Sequence, residues 1–149
     1  MSVNCMLYPA AIECGTEHTS FGVIFPDVKG CFAAGESFEE AFLNAKFALE
    51  RHFELLAQSG EIPPLASPMD KYIVDPEFKG FLWAIVDLDI EPYLGGAVKK
   101  NVTLPKLLLS QIDRTVKRSP DYRDRSHFLQ VAALRELERL EAEKHMSKI

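Results

Sequence analysis

Cysteine is scarce in this chain of 149 residues: there are three, Cys5, Cys14 and Cys31. An odd number makes no closed disulfide framework, and free thiols of a reducing compartment are the expectation. Long apolar runs are also missing. The longest, "FLWAIV" and "LPKLLL", fall far short of the roughly 20 residues a membrane span needs. The opening "MSVNCMLYPAAIEC" has no basic stretch ahead of an extended apolar core. No signal peptide and no membrane partner are therefore expected, and the location reads as cytoplasmic.

Chemistry-bearing patterns are equally thin. "PDVKGCFAAG" contains glycine but neither G-x-x-x-x-G-K-[ST] nor G-x-G-x-x-G, so no nucleotide site is inferred. Cys14 and His18 could be half a zinc site, but no second pair follows at suitable spacing and structural zinc takes four ligands. Glu13, Asp27, Asp87 and Asp89 lie near expected strands without forming the tight group that metal-dependent phosphodiester cleavage demands. Cys31 beside Phe32 reads as a small buried hydrophobe. No catalytic residue, metal or cofactor is expected, and the chain does not read as an enzyme.

What is present is an ordinary globular composition, 47% hydrophobic and 26% charged, in a length that suits one domain or two small ones. The net charge of −5 conceals a sharp division. Residues 1–96 carry 5 Lys and Arg against 15 Asp and Glu; residues 97–128 carry 8 against 3; residues 129–149 carry 4 of each. Such a split by sign suggests two partners of opposite charge.

The pattern of the acidic part predicts an α+β domain. Residues 4–13 and "FGVIFPDV" are β-formers joined by the polar "CGTEHTS", a β-hairpin in which Pro9 suits an edge or a bulge. "CFAAG" follows as a third strand. Ser37-Phe38-Glu39-Glu40 is a capping box, with the Glu40 carboxylate expected to reach back to the N–H of Ser37. Behind it Phe38, Ala41, Phe42, Ala45, Leu49, Phe53 and Leu56 form one apolar stripe, giving a helix from about Phe38 to Ser59 stopped by Gly60. His52 reads as a core-edge histidine. The proline-rich segment 61–80 allows a short helical turn capped by Ser67, and 81–90, apolar through most of its length, reads as a strand central in a sheet. An antiparallel sheet with one long helix across it is the simple packing solution. The boundary is expected in "EPYLGG", with domains at 1–92 and 93–149.

The basic part reads as a strand and two helices. In "AVKKNVTLP", Lys99, Asn101 and Thr103 alternate with Val98, Val102 and Leu104, and Pro105 suits the first position of a helix. Leu108, Leu109, Ile112 and Val116 keep helical spacing. Asp124 can cap a second helix whose apolar positions are Phe128, Leu129, Ala132, Ala133, Leu137 and Leu140. His127, at the start of that helix, is open to a DNA contact but reads first as solvated, and the final "RELERLEAEKHMSKI" is expected to be a frayed tail or a contact between dimers. A lone strand has unpaired backbone groups along both edges, and so small a unit cannot bury enough apolar surface. Both problems vanish if two chains pair their strands antiparallel and interlock their helices through residues 98–140. The two-stranded ribbon then presents Lys99, Asn101 and Thr103 twice on one face, at a width that fits the DNA major groove.

"KKNVTLPKLLLSQIDRTVKRSPDYRDRSHFLQVAALREL" resembles a ribbon-helix-helix DNA-binding domain. "YPAAIE", "FGVIFPDVKGCFAAGESFEEAFLNAK" and "YLGGAVKKNVTLP", in that order, resemble the HicB antitoxin family from about Cys5 to Leu137. The resemblance implies an N-terminal domain likened to a partial RNase H fold that neutralises a HicA-type toxin. That toxin is a small basic mRNA-cleaving ribonuclease with a double-stranded-RNA-binding-like fold and a catalytic histidine. It implies a C-terminal domain that binds operator DNA and represses the operon. Lys99, Asn101 and Thr103 match the ribbon positions that face bases; Arg125 and Ser126 match the helix start that grips a phosphate. The hairpin and its exit, around Phe25, Asp27 and Phe32, form the candidate toxin surface, although Phe25 and Phe32 also suit plain packing. The competing reading is an orphan regulator whose first domain senses a ligand or sets the oligomeric state. Whether dimers form tetramers stays open.

Overall fold

The computed structural model describes residues 5–147. Four strands, β1 (Cys5–Glu13), β2 (Phe21–Ile24), β3 (Phe32–Gly35) and β4 (Leu82–Asp89), form one antiparallel sheet in the order β3-β2-β1-β4. Helix α1 (Phe38–Gln58) follows β3, a short α2 (Asp70–Ile73) precedes β4, and α3 (Lys106–Arg118) and α4 (Arg125–Ser147) come last. The chain divides between Gly95 and Gly96 into two compact units.

In the first unit, strand alternation decides which face is dry. Tyr8, Ala10 and Ile12 of β1, Val23 of β2, and Val86 and Leu88 of β4 share one face, and all are buried. Against them lie Ala41, Ala45, Leu49 and Phe53, the centre of the helical stripe. The rings of Tyr8 and Phe53 meet edge-on at 5.4 Å, and Tyr93 closes on Phe53 at 5.7 Å. That last contact binds the 3₁₀ turn Glu91–Tyr93 to the first core, and the first unit runs on to Gly95.

Both ends of α1 are built by its sequence. The Ser37 hydroxyl accepts from the N–H of Glu40 at 3.1 Å, as a capping residue should. The reciprocal bond differs from expectation: the Glu40 carboxylate accepts from the N–H of Glu36 at 3.1 Å, one residue earlier than Ser37. At the other end the N–H of Gly60 donates to Ala57 at 3.0 Å and that of Glu61 to Leu56 at 2.8 Å. This is the Schellman pattern, and Gly60 takes the φ of +74° that it needs. Gly35 answers to a different constraint. A Cβ there would lie 2.4 Å from Ala41 N, so only glycine lets β3 turn into α1 at this distance.

Strand β4 is an edge strand, which corrects its reading as central. The run looks continuously apolar because its two faces meet different environments. Val86 and Leu88 go into the core, whereas Ile85 on the opposite face remains about half exposed, as does Leu82 at the start of the strand on the core side. Pro9 lies in the stretch of β1 that pairs with β4 alone, since β2 reaches only Ala11–Glu13, so that stretch is locally an edge. The other sheet face is partly covered by segment 61–81, where Trp83 stacks on Tyr72 and meets Phe78 edge-on at 5.4 Å. Ser67 does not cap α2, whose N-cap is Met69; its N–H donates instead to the Asp27 carboxylate at 2.8 Å.

The second unit is sparse. Among its described residues only Ile112 and His127 are fully buried. α3 follows Pro105, whose carbonyl accepts from the N–H of Leu109 at 3.0 Å. α4 is capped by Asp124, as the sequence predicts, with the N–H of His127 donating to its carboxylate at 2.8 Å. The expected tail is helix through Ser147, braced by an ion-pair set of Arg139 with Glu136 and Glu143.

Candidate functional site

Residues 96–105 form no regular element in the single chain, so the predicted strand is not made here. The reason is elementary: a strand exists only by pairing, and this stretch has no neighbour to pair with. Lys99, Asn101 and Thr103 are all exposed. So are Val98 and Val102, at 75% and 67%, which leaves the apolar face of the stretch as open as the polar one.

Arg125 and Ser126 open α4, where no preceding carbonyl reaches the first backbone N–H groups. Those groups point along the positive end of the helix dipole, a geometry that suits a phosphate. The Arg125 guanidinium is turned elsewhere. It makes a two-pronged bond to Asp113 of α3, at 3.0 and 2.9 Å. The pairing holds the Asp113 carboxyl below its ordinary 3.8 and raises the Arg125 guanidinium above its ordinary value. Sequence reasoning missed this link; its signal was Asp113 as the one acid on a helix that carries Lys106, Arg114, Lys117 and Arg118.

His127 is buried at 3% exposure, which corrects its placement in solvent. Its Nδ1 accepts from the N–H of Arg123 at 3.3 Å, and its ring lies 5.9 Å from that of Tyr122. The imidazole is thus packed into the turn that leads into α4, against Tyr122 and Arg123. The Asp124 carboxyl is held below its ordinary 3.8, first by the His127 N–H and then by Arg123.

The expected partner surface of the first unit is broken up. Phe25 is 1% exposed and sits in the core; it has no area to offer, so it is withdrawn from that surface. The Asp27 carboxylate is occupied within the unit, accepting from the Ser67 N–H and from the Tyr72 hydroxyl. Phe32 alone of the three stands open, at 64%. Cys31 is buried, and burial pushes its thiol up to about 11, the behaviour of a core residue rather than a nucleophile. The Cys5 thiol donates to Asp87, which raises it above its ordinary value. Among the described residues no group of three or more His, Cys, Asp and Glu could hold a metal ion, and no helix is long and apolar enough to cross a membrane.

Comparison with known proteins gives a consistent result. The model of a family described as HicB-like antitoxin of bacterial toxin–antitoxin systems matches residues 8–133. An uncharacterised 14.9 kDa protein from the rep–hol intergenic region of Haemophilus phage HP1 is 42% identical over 132 residues, covering 89% of this chain and 98% of its own. The crystal structure of antitoxin HicB3 superposes with a TM-score of 0.76 at 35% identity, covering 88% of this chain and 97% of that one. The Burkholderia pseudomallei antitoxin HicB superposes at 0.64 with 31% identity, over 89% and 98%.

Proposed function

The chain belongs to the HicB-like antitoxin family, and from that premise we propose a division of labour between its two units. The first neutralises a HicA-type mRNA-cleaving toxin by direct binding; the second binds operator DNA and represses the operon. The observation that carries this reading is that the change of charge sign coincides with the division into units. Up to Gly95 acidic residues outnumber basic ones 15 to 5, and over residues 97–128 the basic ones lead 8 to 3. An acidic body repels nucleic acid and attracts a basic ribonuclease; a basic segment does the reverse.

The second unit acts as a homodimer through residues 98–140. Its exposed Val98, Val102, Leu107 and Leu108 support this, because a second copy gives them cover and gives 96–105 a partner strand. In the paired ribbon Asn101 hydrogen-bonds an adenine edge through N6 and N7, Lys99 a guanine, and Thr103 a thymine methyl or polar edge. The backbone N–H groups of Arg125 and Ser126 hold a phosphate and fix the register. Phe32 adds an open aromatic to the toxin-facing unit. The protein carries out no catalysis of its own and works in the cytoplasm.

Two measurements test the proposal together. The purified chain should abolish mRNA cleavage by the product of the neighbouring toxin gene. It should also retard a duplex from upstream of its own operon more than a scrambled one. Full toxin activity in the presence of excess folded chain overturns the first half; equal retardation of both duplexes overturns the second.

A further inference from the structure

The outward pole of α1 carries a feature that helix formation and core packing leave unexplained. Leu43 and Phe47, one turn apart, are 57% and 68% exposed, directly opposite the buried Ala41, Ala45 and Leu49. Carboxylates flank them along the helix, Glu39 and Glu40 on the N-terminal side, Glu50 and Glu54 on the C-terminal side. Of the two basic residues on the helix, Arg51 is paired to Glu54 at 3.4 Å, which leaves Lys46. An apolar centre with a predominantly acidic rim is the anatomy of a protein–protein contact.

We propose that this pole of α1 is the surface on which the toxin docks, with Leu43 and Phe47 as the apolar anchors and Glu39, Glu40, Glu50 and Glu54 as its charged rim. The inference rests on the antitoxin reading above and adds the surface that performs it. The occupant follows from charge. An enzyme that cleaves RNA must present positive groups to phosphates, and an inhibitor that covers them has to offer carboxylates around a dry contact. The rim also steers the encounter, since opposite fields raise the association rate. The hairpin exit offers Phe32 alone for this role, because Phe25 is buried and Asp27 is bonded to Ser67 and Tyr72.

The test compares Phe47→Lys and Leu43→Gln with Val74→Lys, a change at another exposed apolar residue of the same unit, 80% open. Each full-length variant is titrated against the purified product of the neighbouring toxin gene, and its operator binding is measured as a check on folding. Phe47→Lys should weaken toxin binding by about thirtyfold or more, a hot-spot loss, and Leu43→Gln by less. Val74→Lys should match the wild type, and operator binding should be unchanged in all three. Toxin binding by Phe47→Lys and Leu43→Gln equal to wild type overturns the surface while leaving the antitoxin reading intact. A change in the mass of the free protein with Phe47→Lys also overturns it, by giving this face to contacts between copies. No toxin gene beside this one, or a wild-type chain that leaves the toxin active, defeats the antitoxin reading and takes this surface with it.

Discussion

The two units differ in how much of their own apolar surface they hide. The first encloses Tyr8, Phe25, Leu49, Phe53 and Ile90 completely, with a helix on one side of a four-stranded sheet. The second, of about half the length, buries Ile112 and His127 among its described residues and leaves Leu107 at 79% and Leu137 at 51% exposure. The first is a finished fold. The second leaves open the apolar residues that a second copy would cover in the proposed dimer. Such a pairing would suit the proposed reading of a palindromic duplex.

The largest effect that sharpens this contrast is expected at Phe53. Phe53→Ala should destabilise the first unit by about 3–5 kcal/mol, by removing a ring wedged between Tyr8 and Tyr93 and leaving a cavity. Denaturant unfolding monitored by the near-ultraviolet signal of Trp83 checks it, and the midpoint should not depend on protein concentration. Dilution provides the counterpart for the second unit. The helical signal of α3 and α4 should melt at lower temperature as concentration falls, because association is part of its stability. A midpoint that ignores concentration, or a monodisperse monomer at micromolar concentration by light scattering, breaks the comparison.

A smaller effect is expected at Asn101. Asn101→Ala should cost about 1–3 kcal/mol per contact on the cognate operator while leaving non-specific binding nearly intact. A symmetric dimer presents the residue twice, so the loss can count double. Equal weakening on specific and scrambled duplexes, measured across a salt series, removes the ribbon from the major groove.

The smallest effect is acid sensitivity confined to the second unit. The Asp113 and Asp124 carboxyls are held below 3.8 by Arg125 and by the His127 N–H respectively. A carboxyl depressed in the folded state stabilises fully above its unfolded value and loses that contribution as pH falls through the folded one. Helicity of α3 and α4 should therefore decline as pH is lowered from about 5 toward about 2, and Asp124→Asn should flatten that part of the profile. An unaltered profile in Asp124→Asn counts against the cap as its origin.

What could be read from the sequence follows the range of each interaction. The α1 stripe, its Ser37 cap and its Gly60 stop rest on neighbours three or four residues apart, and periodicity reveals such things. The Asp124 cap was legible for the same reason. The edge position of β4 was not, because a continuous apolar run looks the same whether a neighbour lies on one flank or both. Asp27 is a similar case: its partners, Ser67 and Tyr72, are 40 and 45 residues away. At the candidate DNA surface the residue types and their alternation were visible at Lys99, Asn101 and Thr103. The Asp113–Arg125 bond and the burial of His127 depend on how two helices meet, which no local pattern encodes.

The unpaired stretch 96–105 has a consequence for the lifetime of the molecule. Proteases take their substrates as extended, exposed chain, and this segment offers such chain, with Lys99 and Lys100 in it, only while no second strand covers it. In the proposed dimer, pairing would double as protection, and the fraction of chains open to cleavage would rise as the protein becomes dilute. A cut here would spare the first unit, whose core ends before Gly95, and detach the second from it. If the proposed division of labour holds, turnover would then fall first on the link between the two units rather than on either one, and the folded N-terminal half would outlast its tie to the second unit.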